Sequence, residues 1–213
     1  MSTLRTAPPA GATGLDEPRS ARHAHLLRHT YRVLVEQGLR QLSLQRVADR
    51  AGVSKGILLY YFGTKENLVL ATMRWVLGRV ARRIHTAVHR APTAEAKVAA
   101  MVDAIFVDPR ANRDFYLVFL DLLGAAARQD RFDELSATFR GIVDAAYAHI
   151  IEEGLREGVF QVPDVAAAAS VVRAIVDGLF LQWLQEPDWE ARHAATRERC
   201  LQAVLGYLRG APR

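Results

Sequence analysis

Residues 51–68 read AGVSKGILLYYFGTKENL. A short apolar segment, ILLYYF, lies in the middle of this stretch, and residues that end or start helices lie on both sides of it. Gly52 favours the end of one helix, and Ser54 is a residue type that begins the next. Upstream, Ser43 is equally suited to begin a helix. Two short helices joined by a tight turn have the layout of a helix-turn-helix. The sequence therefore predicts such a motif, with its helices at residues 44–51 and 54–60.

The second helix of a helix-turn-helix enters the major groove of DNA, where its first residues meet base edges. Lys55 can donate to guanine acceptors, and Gly56 allows the backbone to approach closely. Tyr60 and Tyr61 each combine a ring that packs with a hydroxyl that can donate to phosphate. The positive end of the following helix adds to a phosphate site. The predicted DNA contacts are Ser43, Ser54, Lys55, Gly56, Leu59, Tyr60, Tyr61 and Lys65.

The positive charge of the chain is concentrated around this motif. The 213 residues carry a formal charge of +5, and residues 1–65 hold ten Lys and Arg against four Asp and Glu. The rest of the chain is nearly neutral, with 18 basic and 19 acidic residues. A basic end on a neutral body indicates a part of the protein that meets a polyanion.

The stretch AGVSKGILLYYFGTKENL resembles the DNA-binding segment of the TetR family of bacterial transcriptional repressors, which typically reads AGVSKGTLYYHFKSKEEL. The preceding LSLQRVADRAGVS is similar to helix 2 of that family, with Ser43 in the place of the usual phosphate-contacting Thr. Ile57 replaces a small polar residue and Leu59 replaces a Tyr, which removes hydrogen-bond donors from the recognition helix. The segments GILLYYFGTKENLVLATMR and IVDGL look most like the branch of choline-responsive betaine regulators. The identical positions are Ala51, Gly52, Val53, Ser54, Lys55, Gly56, Leu58, Tyr60, Phe62, Lys65, Glu66 and Leu68.

The remaining chain is helical in pattern almost throughout, with apolar residues at three- and four-residue spacing and no strand signals. Gly38 is a predicted stop of the first helix, and Thr64 is a predicted cap of a long fourth helix. The sequence predicts an all-α fold of about nine helices, with a three-helix DNA-binding domain followed by a helical ligand-binding and dimerisation domain. The later helices are predicted at about 92–107, 110–127, 130–157, 164–185 and 188–209. The predicted divisions are a disordered segment at 1–18, the DNA-binding domain at 19–65 and the second domain at 66–213.

Two further sites are predicted in the second domain. Aromatic side chains in a layered helical body can line a cavity for an apolar or amphipathic effector, or hold a quaternary ammonium group, although core packing explains any one of them equally well. Asp121, Asp144 and Asp177 could complement a cation, although each could equally face solvent or cap a neighbouring helix. The candidate pocket residues are Trp75, Phe106, Phe115, Phe119, Phe139, Tyr147 and Trp183. The last two helices are apolar enough to form a dimer interface, for which the candidates are Val172, Ile175, Leu179, Trp183, Leu201, Val204, Leu205 and Leu208.

Other site chemistry is not indicated by the sequence. It contains no nucleophile elbow, phosphate loop or metal-ligand cluster, so we expect no enzyme activity, no metal and no cofactor. His85 and His89 lie four residues apart, but a solvated helix face explains them better than a metal site. The single Cys200 and the lack of a leader or of an uninterrupted apolar run of about 18–20 residues favour a cytoplasmic protein without a membrane span.

These observations together predict a ligand-responsive transcriptional regulator. The resemblance implies a homodimeric repressor that a small effector releases from a palindromic double-stranded DNA operator. A helical protein-interaction module with a basic head is the alternative.

Overall fold

The computed structural model describes residues 18–127 and 130–210, and within these ranges the chain forms nine helices and no strand. The all-α prediction is confirmed, and the later helices begin and end within about two residues of their predicted limits. The predicted disordered segment lies outside the described residues, except for Pro18. In chain order the helices are α1 (Ala21–Gln41), α2 (Leu44–Ala51), α3 (Lys55–Phe62), α4 (Lys65–Arg90), α5 (Ala94–Ile105), α6 (Pro109–Ala126), α7 (Asp130–Arg156), α8 (Val165–Leu184) and α9 (Trp189–Arg209).

Most helix starts are fixed by a capping side chain, as the sequence predicts. The hydroxyl of Ser43 accepts from the backbone N–H of Arg46 at 3.3 Å, and that of Thr64 accepts from Asn67 at 3.1 Å. Ser54 occupies the cap position of α3, but its hydroxyl makes no capping hydrogen bond with any described residue. Ser54 is therefore the N-cap residue, as predicted, but without the side-chain hydrogen bond of a typical serine cap.

Gly38 interrupts α1 without ending it. Its backbone adopts φ 75° and ψ 167°, a region that essentially only glycine occupies, and the helix resumes for one more turn to Gln41. Just after this kink, the N–H of Leu39 donates to Oδ2 of Asp121 on α6 at 3.0 Å. The kink therefore ties the end of α1 to a distant helix.

The first three helices form a head that rests on a larger body made of α4 to α9. Within the head, α1 packs on α2, and α1 also contacts α4 and α6 of the body. In the body, α8 lies against α7 and α9, and its Phe180 and Trp183 are fully buried. The head therefore meets the body mainly through α1, with a smaller contact between α3 and α4.

The eighth helix is the only one in the described ranges that is long and apolar enough to cross a membrane by length and composition. Within the chain it packs against two neighbouring helices, and it carries Arg173 and Asp177 in its middle. A helix in the core of a bundle satisfies the same criteria. The apolar side of α8 that the chain does not cover is a candidate subunit contact.

Candidate functional site

The turn between α2 and α3 holds the two helices in a fixed orientation. Gly52 has φ 64°, and its N–H reaches the carbonyl groups of the last turn of α2. The N–H of Val53 also donates to the carbonyl of Ala48, at 3.0 Å. Val47 and Leu58 are fully buried and pack the inner faces of the two helices. A left-handed glycine and a shared apolar core therefore set the angle at which α3 projects.

The outer face of α3 exposes large side chains. Tyr60 is 85% exposed, Leu59 is 42% exposed and Tyr61 is 37% exposed. The rings of the two tyrosines meet edge to face, with their centroids 5.4 Å apart, and the Tyr61 ring lies 6.0 Å from that of His23. Exposed aromatic and aliphatic groups collected on one short helix mark an interaction surface.

The other residues that are predicted to contact DNA are also accessible. Ser54, Lys55 and Gly56 are exposed at the N-terminal end of α3. Lys65 is partly exposed at the first position of α4, and Ser43 is partly exposed at the cap of α2. All eight predicted DNA-contact residues thus have surface to offer, and six of them lie on α3 or at its cap.

The body contains a cavity of about 390 Å³. Five of the seven predicted pocket aromatics line it, and the other two do not. Phe106 stacks on Phe180 with ring centroids 4.3 Å apart, and the indole N–H of Trp183 donates to the carbonyl of Trp189 at 2.6 Å. Both are buried in the core. The lining residues are Tyr31, Trp75, Val76, Arg79, Val80, Arg83, Ile84, Ile105, Val107, Ala111, Asn112, Phe115, Tyr116, Phe119, Leu123, Phe139, Arg140, Val143, Tyr147, Arg173, Val176 and Asp177.

One wall of the cavity is aromatic. The rings of Phe115 and Phe119 are stacked, with centroids 5.7 Å apart, because their positions are one turn apart on α6. Phe139 meets Phe119 at 5.6 Å from the facing helix α7. This wall offers an apolar surface to the body of a ligand.

Among the lining residues that the structure describes, Asp177 is the one acid. The hydroxyl of Tyr116 lies 3.4 Å from Oδ1 of Asp177. Burial raises the pKa of Asp177, and the positive charge of Arg173 opposes that rise. Arg173 also donates through Nε to Asp144 at 2.7 Å. Of the three aspartates that the sequence suggests for a cation, only Asp177 lines the cavity, since Asp144 lies beside it and Asp121 bonds to the head.

Four arginines line the cavity, and the sequence analysis missed all of them. Arg79 lies over the Trp75 ring, 5.3 Å from its centroid, and Arg83 donates through Nε to the carbonyl of Ala104 at 2.6 Å. The spacing of Trp75, Arg79 and Arg83 at four-residue intervals puts them on one face of α4, which is a signal that the sequence contains. The other two are Arg140 and Arg173.

The cavity also touches the head. Tyr31 belongs to α1 yet lines the cavity, and burial raises the pKa of its hydroxyl above the usual range. Further along α1, the backbone N–H of Leu39 donates to Asp121 on α6. A ligand in the cavity would therefore contact both the body and α1, the helix on which α2 of the DNA-reading motif packs.

The predicted dimer-interface residues divide into two groups. Five are buried inside the single chain: Val172, Trp183, Val204, Leu205 and Leu208. Their packing leaves them little surface for a partner. Ile175, Leu179 and Leu201 are partly exposed, and the exposed Val171 lies on the same side of α8 as Ile175 and Leu179. Any dimer contact through these helices falls on the exposed group.

Three residues outside these sites, two histidines and the single cysteine, have simple surroundings. His85 and His89 are exposed on α4, and no group of three or more His, Cys, Asp and Glu able to hold a metal occurs in the described part of the chain. Cys200 is fully buried, and burial raises the pKa of its thiol to about 12. A buried thiol of that pKa is packed as a small apolar group.

Comparison with known proteins matches both parts of the chain to one kind of protein. Residues 26–72 match the family model described as bacterial regulatory proteins of the tetR family, and residues 94–210 match the C-terminal model of BetI-type transcriptional repressors. The HTH-type transcriptional regulator BetI of Burkholderia thailandensis is 31% identical over 169 residues, which cover 77% of this chain and 82% of that protein.

Two solved structures have the same fold. A TetR transcription regulator from Haloarcula marismortui superposes with a TM-score of 0.76 and 26% identity, over 88% of this chain and 96% of that one. A transcriptional regulator from Saccharomonospora viridis, solved in complex with choline, gives a TM-score of 0.79 at 20% identity, over 88% and 97% of the two chains.

Proposed function

The chain belongs to the TetR family of bacterial regulatory proteins, with a BetI-type C-terminal half, and from this premise we propose that it is a repressor released from a palindromic operator by a small apolar or amphipathic effector. It is a ligand-responsive, DNA-binding transcriptional regulator and acts in the cytoplasm. The alternative of a protein-interaction module with a basic head is not favoured by these matches. We divide the chain, as the sequence suggests, into a DNA-binding domain at 19–65 and an effector and dimerisation domain at 66–213.

The observation that carries this proposal is the exposed face of α3. Lys55 would read guanine, the backbone at Gly56 would approach the bases, and Leu59 would contact a thymine methyl group. Tyr60 and Tyr61 would donate to phosphates, together with Ser43 and Lys65 at the starts of α2 and α4. In this arrangement one set of residues reads the bases, and a second set positions the protein on the phosphates.

A two-fold dimer would bring two copies of α3 to successive turns of DNA, which explains the expectation of a palindrome. The uncovered apolar side of α8 supports this proposal. Val171 is 39% exposed, and Ile175 and Leu179, which follow it at four-residue intervals on the same side of α8, are partly exposed. A chain that leaves aliphatic groups open on its most apolar helix gains free energy by covering them with a second copy.

Release by an effector requires a ligand whose affinity differs between the DNA-fitting and the non-fitting state. The position of the cavity allows a bound ligand to have different affinities for the two states. It lies along α4, whose first residue is Lys65, and it includes Tyr31 of α1. A ligand that moves α4 or α1 would change the separation of the two DNA-reading heads.

Binding to duplex DNA with point variants tests the proposed interface. Leu59→Ala and Tyr60→Ala should each weaken binding, whereas Leu117→Ala should not, because Leu117 is also 42% exposed but lies on α6. Lys65→Ala should reduce the slope of log K against log salt by about one. Equal effects of Leu59→Ala and Leu117→Ala, or binding that does not depend on salt, would contradict the proposed interface.

A further inference from the structure

We propose that the ligand of the cavity is an amphipathic anion, with an apolar body on the aromatic wall and a carboxylate or similar oxyanion held by Arg79, Arg83 and Arg140. This inference rests on the proposed function, because it names the chemical class of the effector. It departs from the cationic choline seen in the neighbour from Saccharomonospora viridis.

The charged groups that line the cavity are unbalanced in favour of positive charge. Among the residues that the structure describes, the lining holds four arginines and one acid, Asp177. Arg173 donates to Asp144 and its charge also acts on Asp177, so these three groups together carry at most one net negative charge. The other three arginines carry three positive charges. The described groups in and beside the cavity therefore retain a net positive charge.

The polar contacts of these three arginines show the same imbalance. Within the described part of the chain, none of them makes an ion pair with a carboxylate. Arg79 lies over the Trp75 ring, and Arg83 gives its Nε–H to the carbonyl of Ala104, which leaves its terminal N–H groups free to donate. Guanidinium groups of this kind bind carboxylates and phosphates through two parallel hydrogen bonds.

Arg79 and Arg83 also repel each other. They are one turn apart on α4, a spacing at which like charges destabilise a helix. Burial lowers the pKa of Arg83, and the charge of Arg79 lowers it further. An anion between them would relieve this repulsion, whereas a cation would add to it.

The acid of the cavity is poorly placed to favour a cation. The hydroxyl of Tyr116 lies within hydrogen-bonding distance of Asp177, and the positive charge of Arg173 partly offsets the charge of that carboxylate. A cation in the cavity would therefore gain only part of the attraction of one carboxylate, and Arg79, Arg83 and Arg140 would repel it. The aromatic rings are then better suited to packing an apolar chain than to holding a quaternary ammonium group.

A cavity of about 390 Å³ lies within the size range of sites for small organic ligands. We therefore choose probes that share one eight-carbon chain and differ only in the head group: octanoate, octyltrimethylammonium and octanol. Choline serves as a fourth probe, a cation without the chain. Calorimetric titration of the full-length protein measures each affinity, and fluorescence anisotropy of a labelled operator measures release.

Octanoate is expected to bind at least about tenfold more tightly than octyltrimethylammonium and octanol, a difference of ~1.4 kcal/mol. Arg140→Gln and Arg79→Gln should each weaken octanoate binding several-fold and leave octanol binding unchanged. Arg90→Gln is the matched control, because Arg90 is exposed on α4 but does not line the cavity. Octanoate binding by the wild type should also weaken as salt is raised, which tests the charge without any substitution.

The inference would be overturned if octyltrimethylammonium or choline bound more tightly than octanoate. It would also be overturned if the octanoate affinity changed neither in the two arginine variants nor with salt. Failure of octanoate to bind in the millimolar range would overturn it as well. The two proposals fail separately. A cation that binds best and releases the operator leaves the repressor function standing, whereas octanoate that binds without changing operator affinity supports the site and contradicts effector release.

Discussion

Replacement of Gly38 by alanine tests how the head is held on the body. The backbone of Gly38, at φ 75° and ψ 167°, lies in a region that costs a non-glycine residue about 1–3 kcal/mol. A Cβ at this position would also lie 3.0 Å from Oδ2 of Asp121, the atom that accepts from Leu39. Moving that carboxylate would lose a surface hydrogen bond of about 1 kcal/mol. We expect Gly38→Ala to reduce the free energy of unfolding by about 2–4 kcal/mol in total.

Urea unfolding at one fixed protein concentration measures this loss, because the stability of a dimer depends on concentration. For a chain of this size the corresponding fall in Tm is roughly 4–16 °C. Asp121→Ala removes the crowded carboxylate and leaves the backbone cost of Gly38→Ala unchanged. The double variant should therefore be about 1 kcal/mol more stable than the two single effects predict together. A loss below about 0.5 kcal/mol for Gly38→Ala, or full additivity, would refute this account of the kink.

Three other predictions concern the body. Gly154→Ala should destabilise the protein in urea unfolding by about 1–3 kcal/mol or more, because the added Cβ would lie 1.9 Å from Phe160. The control Gly141→Ala, on the same helix, places its Cβ within 4 Å of no described atom and should be neutral or stabilising. Equal effects of the two substitutions on the free energy of unfolding would contradict this. Burial lowers the pKa of His193, so the unfolded state takes up a proton first as the pH falls. Stability should therefore fall as the pH drops below about 6.5 towards the folded-state pKa, and a thermal-unfolding series should show a weaker fall for His193→Gln. Leu179→Arg should give monomers in sedimentation, and a dimer of unchanged stability would count against the α8 contact.

The head was predictable because its signals are local. Helix caps, a left-handed glycine and a short apolar core are all written within a few consecutive residues, so α2 begins and ends where the sequence places it. The kink at Gly38 was harder. Glycine predicts the break there, but the short turn that follows it to Gln41 bonds through Leu39 to Asp121 on α6, which is 82 residues away along the chain and leaves no local signal.

The cavity was only partly predictable because its lining depends on how each helix is rotated. Aromatic composition alone does not separate Phe115 and Phe119, which face the cavity, from Phe106, which packs on Phe180. Tyr31 was missed because it lies in the head along the sequence and reaches the cavity only through packing of α1 on the body. Helix α8 is apolar nearly all round, so its pattern could not tell the buried Trp183 from the partly exposed Leu179.

Selection of bound duplexes from a random DNA pool, carried out with the wild type and with Lys55→Ala, tests whether the protein recognises an operator through α3. The wild type should enrich one palindrome, with half-sites about one helical turn or a multiple of it apart, and Lys55→Ala should lose this enrichment. Weak, salt-sensitive binding without enrichment of any sequence by the wild type would contradict this recognition.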